Sequence, residues 1–217
     1  MEEQELCVLP RVRAAFERIE HYMLPTPLLV IISGPSGAGK DSVVKRMREL
    51  NYPFHFVVTT TDRPPRPGEV NGLDYHFVST AAFDKMIAND ELFEHAVVYG
   101  QHKGIPKAQV REALSSGMDV IMRLDVQGAA TVRRLMPEAL AIFLVPPSIE
   151  VLIDRLRRRG SDSPAQLRKR MDTVLAEIGR IREFDYVVVN REGRLDETVK
   201  QIAAIVSAER FRTARRC

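Results

Sequence analysis

Residues 28–40 read LLVIISGPSGAGK, and Asp41 and Ser42 follow directly. Leu28 to Ile32 is an unbroken apolar row. Such a row suits a strand buried on both faces, because a strand with one solvated face would alternate. The chain then turns through Gly34, Pro35, Ser36, Gly37, Ala38, Gly39 and Lys40, with the spacing G-x-x-x-x-G-K. A helix reads from Asp41 to Leu50, so the motif has the strand before it and the helix after it that phosphate binding requires. Glycines let the backbone wrap closely around phosphate oxygens with its N–H groups pointing inward. The start of the helix adds the positive end of its dipole, and Lys40 can reach the β- and γ-phosphates of ATP. In this motif the residue after the lysine is Ser or Thr, whose hydroxyl meets Mg²⁺. Here it is Asp41, and a carboxylate beside bound phosphates repels them unless a metal lies between. Either Asp41 faces a magnesium shell, or it points away and caps the helix and leaves that part to Ser42.

Outward from this unit, strands are expected at 54–60, 93–99, 118–124, 141–145 and 186–189. Helices are expected at 81–89, 107–116, 129–135, 149–159, 163–184 and 195–211. Strands alternating with helices imply an α/β fold, a parallel sheet with helices on both faces. Residues 1–25 read as an appendage. Val12, Ala15, Phe16 and Ile19 recur at helical spacing, and Pro25 and Pro27 end the helix. That stripe is expected to dock on the main body or on a second subunit, as in a homodimer.

The chain has 217 residues, enough for one large domain, or for one domain with an insert, to bury a core without disulfides. The two cysteines, Cys7 and Cys217, sit at opposite ends and make neither a disulfide framework nor a zinc pattern. A reducing, cytoplasmic setting is the expectation. No apolar run approaches the ~18 residues of a membrane helix, and the acidic start MEEQELCVLP does not read as a secretory signal. Net charge is +3, from 32 Lys+Arg against 29 Asp+Glu, too small an excess to argue for nucleic acid. His55, His76, His95 and His102 make no ligand set.

A second constellation runs TTTDRPPRPGE over residues 59–69 and NGLDYHFV over 71–78. Arg63 and Arg66 lie three apart on a loop stiffened by prolines, which lowers the entropy cost of aiming two guanidinium forks at one target. With the Tyr75 hydroxyl they suit a monophosphate dianion. Spacing alone leaves a basic surface loop equally open.

GPSGAGK, TTDRPPRPGEVNGLDYHFVS, LFEHAVVYG, LDVQGA and FDYVVVN follow one another in the order of the guanylate kinase family. The chain resembles that family over about residues 27–211. The resemblance implies transfer of a phosphoryl group from ATP to GMP with Mg²⁺, cytoplasmic purine metabolism, and a P-loop NTPase-type core. It implies a small mixed α+β acceptor insert over about 59–116 and a helical lid over about 155–172, within a domain spanning 26–211 and followed by a basic tail at 212–217. Carried over by position, Arg63, Arg66 and Tyr75 would hold the GMP phosphate. Thr59 would meet the guanine carbonyl, Glu94 would accept from the guanine N1–H and amino group, and Asp125 would face the guanine or the metal. Arg155, Arg159 and Arg170 correspond to the lid arginines, and Asn190 to a residue near the ATP adenine.

Three positions depart from the family's pattern. Lys103 stands where a phosphate-binding tyrosine is usual, Ile105 where a nucleotide-contacting hydroxyl is usual, and Arg123-Leu-Asp125 where the family tends to read D-I-D. Lys103 could serve the same phosphate, and Arg123 could pair with Asp41 or Asp125 or add a phosphate contact. Two other readings stand beside GMP phosphorylation. One is a kinase of related fold acting on ribose 1,5-bisphosphate, suggested by GKDS. The other is a non-catalytic guanylate-kinase-like binding module, which usually lacks the P-loop lysine and lid arginines that are intact here.

Overall fold

The computed structural model describes residues 10–17, 26–98, 100–158 and 164–213. Cys7, Ile19, Tyr99, Arg159, Cys217 and the last four residues of the basic tail lie outside them. The elements run α1 (residues 10–17), β1 (Leu29–Ser33), α2 (Lys40–Glu49), β2 (Phe54–Phe56), β3 (Thr60–Thr61), β4 (His76–Phe77), α3 (Thr80–Ala88), β5 (Leu92–Val98) and β6 (Gln101–Pro106). They continue α4 (Lys107–Ser115), β7 (Asp119–Arg123), α5 (Val126–Leu135), β8 (Leu140–Val145), α6 (Ile149–Arg158), α7 (Pro164–Gly179), a 3-10 turn (Ile181–Glu183), β9 (Tyr186–Val189) and α8 (Leu195–Glu209).

The main sheet has the order β2-β7-β1-β8-β9 and every pairing in it is parallel. β1 is paired on both edges and buried at all five residues, which is why its sequence does not alternate. Successive side chains still go to opposite faces. Val30 and Ile32 pack with Val43 and Met47 of α2 and with Ile202 and Val206 of α8. Leu29 and Ile31 pack with Val110 and Ala113 of α4 and with Ala129 and Val132 of α5. The fold is thus α/β with helices on both faces, as the sequence implies. It places the C-terminal end of β1 and the start of α2 at the sheet's carboxyl edge, where ligands of such sheets bind.

Beside it stands a mixed sheet of order β4-β3-β6-β5, with β3 parallel to β4 and antiparallel to β6. Two expectations are corrected here. The single strand over 54–60 divides, so that β2 stays with β7 while β3 belongs to the second sheet. The crossing residue Val58 spends its N–H on the Gln109 side chain at 2.8 Å instead of on a ladder. β4 and β6 were not foreseen, because QHKGIP carries the Gly and Pro that ordinarily punctuate strands. Gly104 is tolerated there because the sheet is tight. A Cβ at 104 would lie 3.0 Å from Glu94 O and 3.0 Å from the Phe83 ring. Pro106 ends the strand and caps α4, where no ladder N–H is needed. Ile105 is wholly buried with Val57 and Val110 in the core.

The helix expected at 163–184 stops at Gly179 and is followed by the 3-10 turn. All of 10–17 is exposed, with Phe16 at 56%, so this stretch buries no apolar stripe on the main body. Among the described residues no helix is long and apolar enough to cross a membrane.

Candidate functional site

The turn from β1 into α2 is built from glycines at positive φ, with Gly34 at 134°, Gly37 at 88° and Gly39 at 94°. At Gly34 a Cβ would stand 2.1 Å from Leu144 O, so close approach to β8 excludes any side chain. The carbonyl of Ala38 is drawn inward, accepting from Asn190 Nδ2 at 2.9 Å and Arg155 Nη1 at 3.3 Å. Arg155 also donates to Gly37 O at 3.4 Å and Asn190 O at 3.0 Å. These two residues therefore brace the loop from behind. Asn190 is buried, its Oδ1 accepting from the Thr198 hydroxyl at 3.3 Å.

Lys40 folds back so that its ammonium donates to Gly34 O and, at 3.1 Å, to Pro35 O. Its removal from water lowers its pKa to about 8, with Lys103 acting in the same sense and Glu177, Asp41 and Asp125 opposing. An ammonium in this state gains from any anion that replaces the carbonyls.

The loop opens into a cavity of about 850 Å³, mouth included. Pro35, Ser36, Gly37, Gly39, Lys40 and Asp41 of the phosphate loop line it, and so do Thr59, Arg63, Arg66 and Tyr75. Glu94, Lys103 and Asp125 close it, together with Arg123 and Glu177. Most of the residues singled out from sequence are thus brought around one space. Ser42 is exposed and Asn190 buried, and neither is on its wall. Arg159 and the side chain of Arg170 are not among the described parts of the chain.

Arg63 is almost wholly buried and is held before any ligand arrives. Its two terminal nitrogens donate to Glu69 Oε2 and Oε1 at 2.7 and 2.6 Å, and its guanidinium lies 4.7 Å from the centre of the Tyr75 ring. Glu69 Oε2 also accepts from the Arg66 N–H at 2.7 Å. Burial alone would raise the Glu69 pKa, but these bonds hold it below the usual carboxylate range. Arg66 is exposed at the cavity rim. The proline-stiffened loop is therefore locked by an ion pair that spacing alone did not disclose.

Glu94, from β5, is 3% exposed, and neither carboxylate oxygen has a partner among the described residues. Burial, and secondarily Asp125, push its pKa up to about 8 against the pull of Lys103. A buried acceptor pair with nothing donating to it is a costly feature and points to a ligand with donors of its own. Gly128 makes room for it, since a Cβ there would lie 3.0 Å from both oxygens. Asp125 caps α5, its Oδ1 accepting from Gln127 N at 2.9 Å and Gly128 N at 3.1 Å. Arg123 pairs with Asp41 at 2.8 Å, which decides between its two expected carboxylates.

Three residues of the site escaped the sequence reading. Glu69 had a detectable signal, an acid six residues after Arg63 within one stiff loop. Gly128 and Glu177 had none. Glu177, on α7, accepts from the Ser36 N–H, and burial raises its pKa although Lys40 lies near enough to oppose this. One of its oxygens has no partner among the described residues.

The sequence model of the family described as Guanylate kinase matches residues 26–209. The chain is 48% identical over 193 residues to "Guanylate kinase 2, chloroplastic/mitochondrial" of Oryza sativa subsp. japonica, covering 88% of this chain and 68% of the rice protein. It is 40% identical over 188 residues to a guanylate kinase of Carboxydothermus hydrogenoformans, covering 87% and 91%. The crystal structure of guanylate kinase from Anaplasma phagocytophilum superposes with a TM-score of 0.71 at 30% identity, covering 88% of this chain and 90% of that one.

Proposed function

This chain belongs to the guanylate kinase family, and we propose from that premise that it transfers the γ-phosphoryl group of ATP to GMP or dGMP, giving ADP and GDP or dGDP. The observation that carries this reading is one cavity lined both by a phosphate loop and by the buried, donor-seeking carboxyl group of Glu94. Guanine offers N1–H and an amino group side by side, and adenine does not. A site that leaves buried groups unpaired with the wrong base discriminates strongly.

In this reading the amides of residues 34–40 and the Lys40 ammonium hold the ATP phosphates. Arg63, Arg66, Tyr75 and Lys103 hold the acceptor phosphate, and Thr59, Glu94 and Asp125 the base. Ring and guanidinium are already stacked and Glu69 already grips Arg63, so less ordering remains to be done on binding. The acceptor oxygen is anionic and needs no strong general base, so positioning and charge neutralisation suffice. Arg155, Arg159 and Arg170 neutralise charge on the transferring group as the lid over 155–172 closes and excludes water. In this structure Arg155 bonds instead to carbonyls of the phosphate loop, to Asn190 O and to Glu192, so its part in transfer requires it to leave them.

Mg²⁺ is the proposed metal. Among the described residues no three His, Cys, Asp or Glu side chains form a cage. Asp41 and Asp125 nonetheless stand on the cavity wall beside Lys40. One or two carboxylates near nucleotide phosphates fit an ion carried in by ATP, and Ser42 lies away from that wall. When bound, Mg²⁺ supplies neutralising charge between the phosphates. A cytoplasmic enzyme without nucleic-acid or membrane partners fits the modest net charge, and a homodimer contact through residues 10–17 fits the exposed Val12 and Phe16.

The test is ADP release with ATP and Mg²⁺ against GMP, dGMP, AMP and ribose 1,5-bisphosphate. Turnover confined to GMP and dGMP is expected. Turnover with the sugar phosphate would transfer the assignment to that acceptor, and none with any acceptor would make the chain a binding module.

A further inference from the structure

Arg123 joins the two halves of the cavity through one side chain. It ends β7, and its side chain is only 10% exposed. Nη1 meets Asp41 Oδ1 at 2.8 Å, and Nη2 donates to Asp74 O at 2.7 Å. The guanidinium carbon lies 4.3 Å from the centre of the Tyr75 ring, the ring on which Arg63 also rests at 4.7 Å. Its own carbonyl lies 3.5 Å from the Thr59 hydroxyl, which donates to it.

Asp41 is the first residue after the phosphate-loop lysine, and Asp74 directly precedes Tyr75. One planar fork thus spans from the first turn of α2 to the loop that carries the acceptor tyrosine. A lysine could not replace it, because an ammonium is a point charge without the paired, divergent donors of a rigid plane. Arg48, which repels it, donates instead to Leu73 O at 2.6 Å, and Glu69, which attracts it, is held by Arg63.

We propose that Arg123 is a positioning residue for the phosphoryl transfer. By tying Asp41 to Asp74 and Tyr75 it sets the distance between the acceptor phosphate and the γ-phosphoryl group of ATP. The inference rests on the guanylate kinase reading of the site. Arg123 acts through Tyr75, and Asp41 serves as its anchor on the ATP side. Misplacement by about 1 Å can cost about 100-fold in rate, so a bridge of this kind governs turnover as well as acceptor binding.

The test compares wild type with R123M, R123K, D41N and the double variant D41N/R123M, with KM and kcat for each substrate, the Mg²⁺ requirement and the melting temperature. R123M is expected to raise KM for GMP about tenfold and lower kcat about tenfold, with KM for ATP changed less than about twofold. R123K should recover little. D41N should show the same rise in KM for GMP and fall in kcat without loss of fold, since Asp41 is half-exposed, beside any change in KM for ATP that its place near the ATP-borne Mg²⁺ adds. The double variant should be no worse than the poorer single one, because both remove one bridge. Should R123M fail to fold, D41N decides. Wild-type kinetics in D41N and R123M would overturn the inference. So would losses that add in the double variant, or a D41N defect confined to the ATP or Mg²⁺ requirement. A wild-type protein inactive on GMP would instead overturn the functional reading, and this inference with it.

Discussion

Glu94 is the residue whose state depends most on the ligand. With its pKa at about 8 it is mainly protonated at pH 7 before a ligand binds. Two guanine N–H donors favour the carboxylate, so GMP binding must expel that proton. Calorimetry at pH 7 in buffers of different ionisation enthalpy should detect release of about one proton per GMP, fading above pH 9. E94Q should abolish the release and weaken GMP about tenfold or more, with ATP binding unchanged. Arg66 is the other residue with an isolated task, since it stands at the rim while Arg63 is locked by Glu69. Arg66→Ala should raise KM for GMP and lower kcat by about tenfold each and leave ATP affinity nearly intact, as steady-state kinetics can read. Equal loss of ATP binding would remove Arg66 from the acceptor side.

At the scale of elements, the β1 to α2 turn and the 59–78 segment differ in what fixes them. The turn is fixed by contact, since Gly34 passes Leu144 with no space for a Cβ. Gly34→Ala should cost at least about 1–3 kcal/mol and abolish ATP binding, measured by denaturant unfolding and nucleotide titration. The segment is fixed by the ion pair of Glu69 with Arg63 and by the bond that Arg123 donates to the Asp74 carbonyl. The strand 28–32, the turn and α2 were legible because each obeys a local rule, apolar continuity or the glycine spacing. β4 and β6 were not, since His76–Phe77 is too short to show a period and Gln101–Pro106 contains its own breakers. Their pairing with β3 and β5 is decided by partners 12 or more residues away, or by a hairpin whose turn residues lack a strong signal.

For the whole molecule, Glu94 and Lys40 together are a source of pH-dependent stability. Between 4.5 and about 8 the folded chain retains a proton on Glu94 that the unfolded chain has released, so stability falls as pH rises through that window. Between about 8 and 10.5 the unfolded chain retains a proton on Lys40 that the folded chain has released, so these groups make stability rise again. The contribution of this pair passes through a minimum near pH 8. ADP should fill that minimum by holding Lys40 charged, and E94Q should flatten its acid side. Melting temperatures across pH 5–10, with and without ADP, would show this. What the sequence determined alone was the α/β core, the phosphate loop and most of the residues that meet in the cavity, because these depend on short-range pattern and on a long, unusual motif. The tertiary structure alone decided which groups in that set are already paired. It turned Arg63 to Glu69 and Arg123 to Asp41, put Asn190 behind the loop, and left Glu94 without a donor. Such pairings depend on distances of a few ångströms between segments far apart in the chain, which no local pattern encodes.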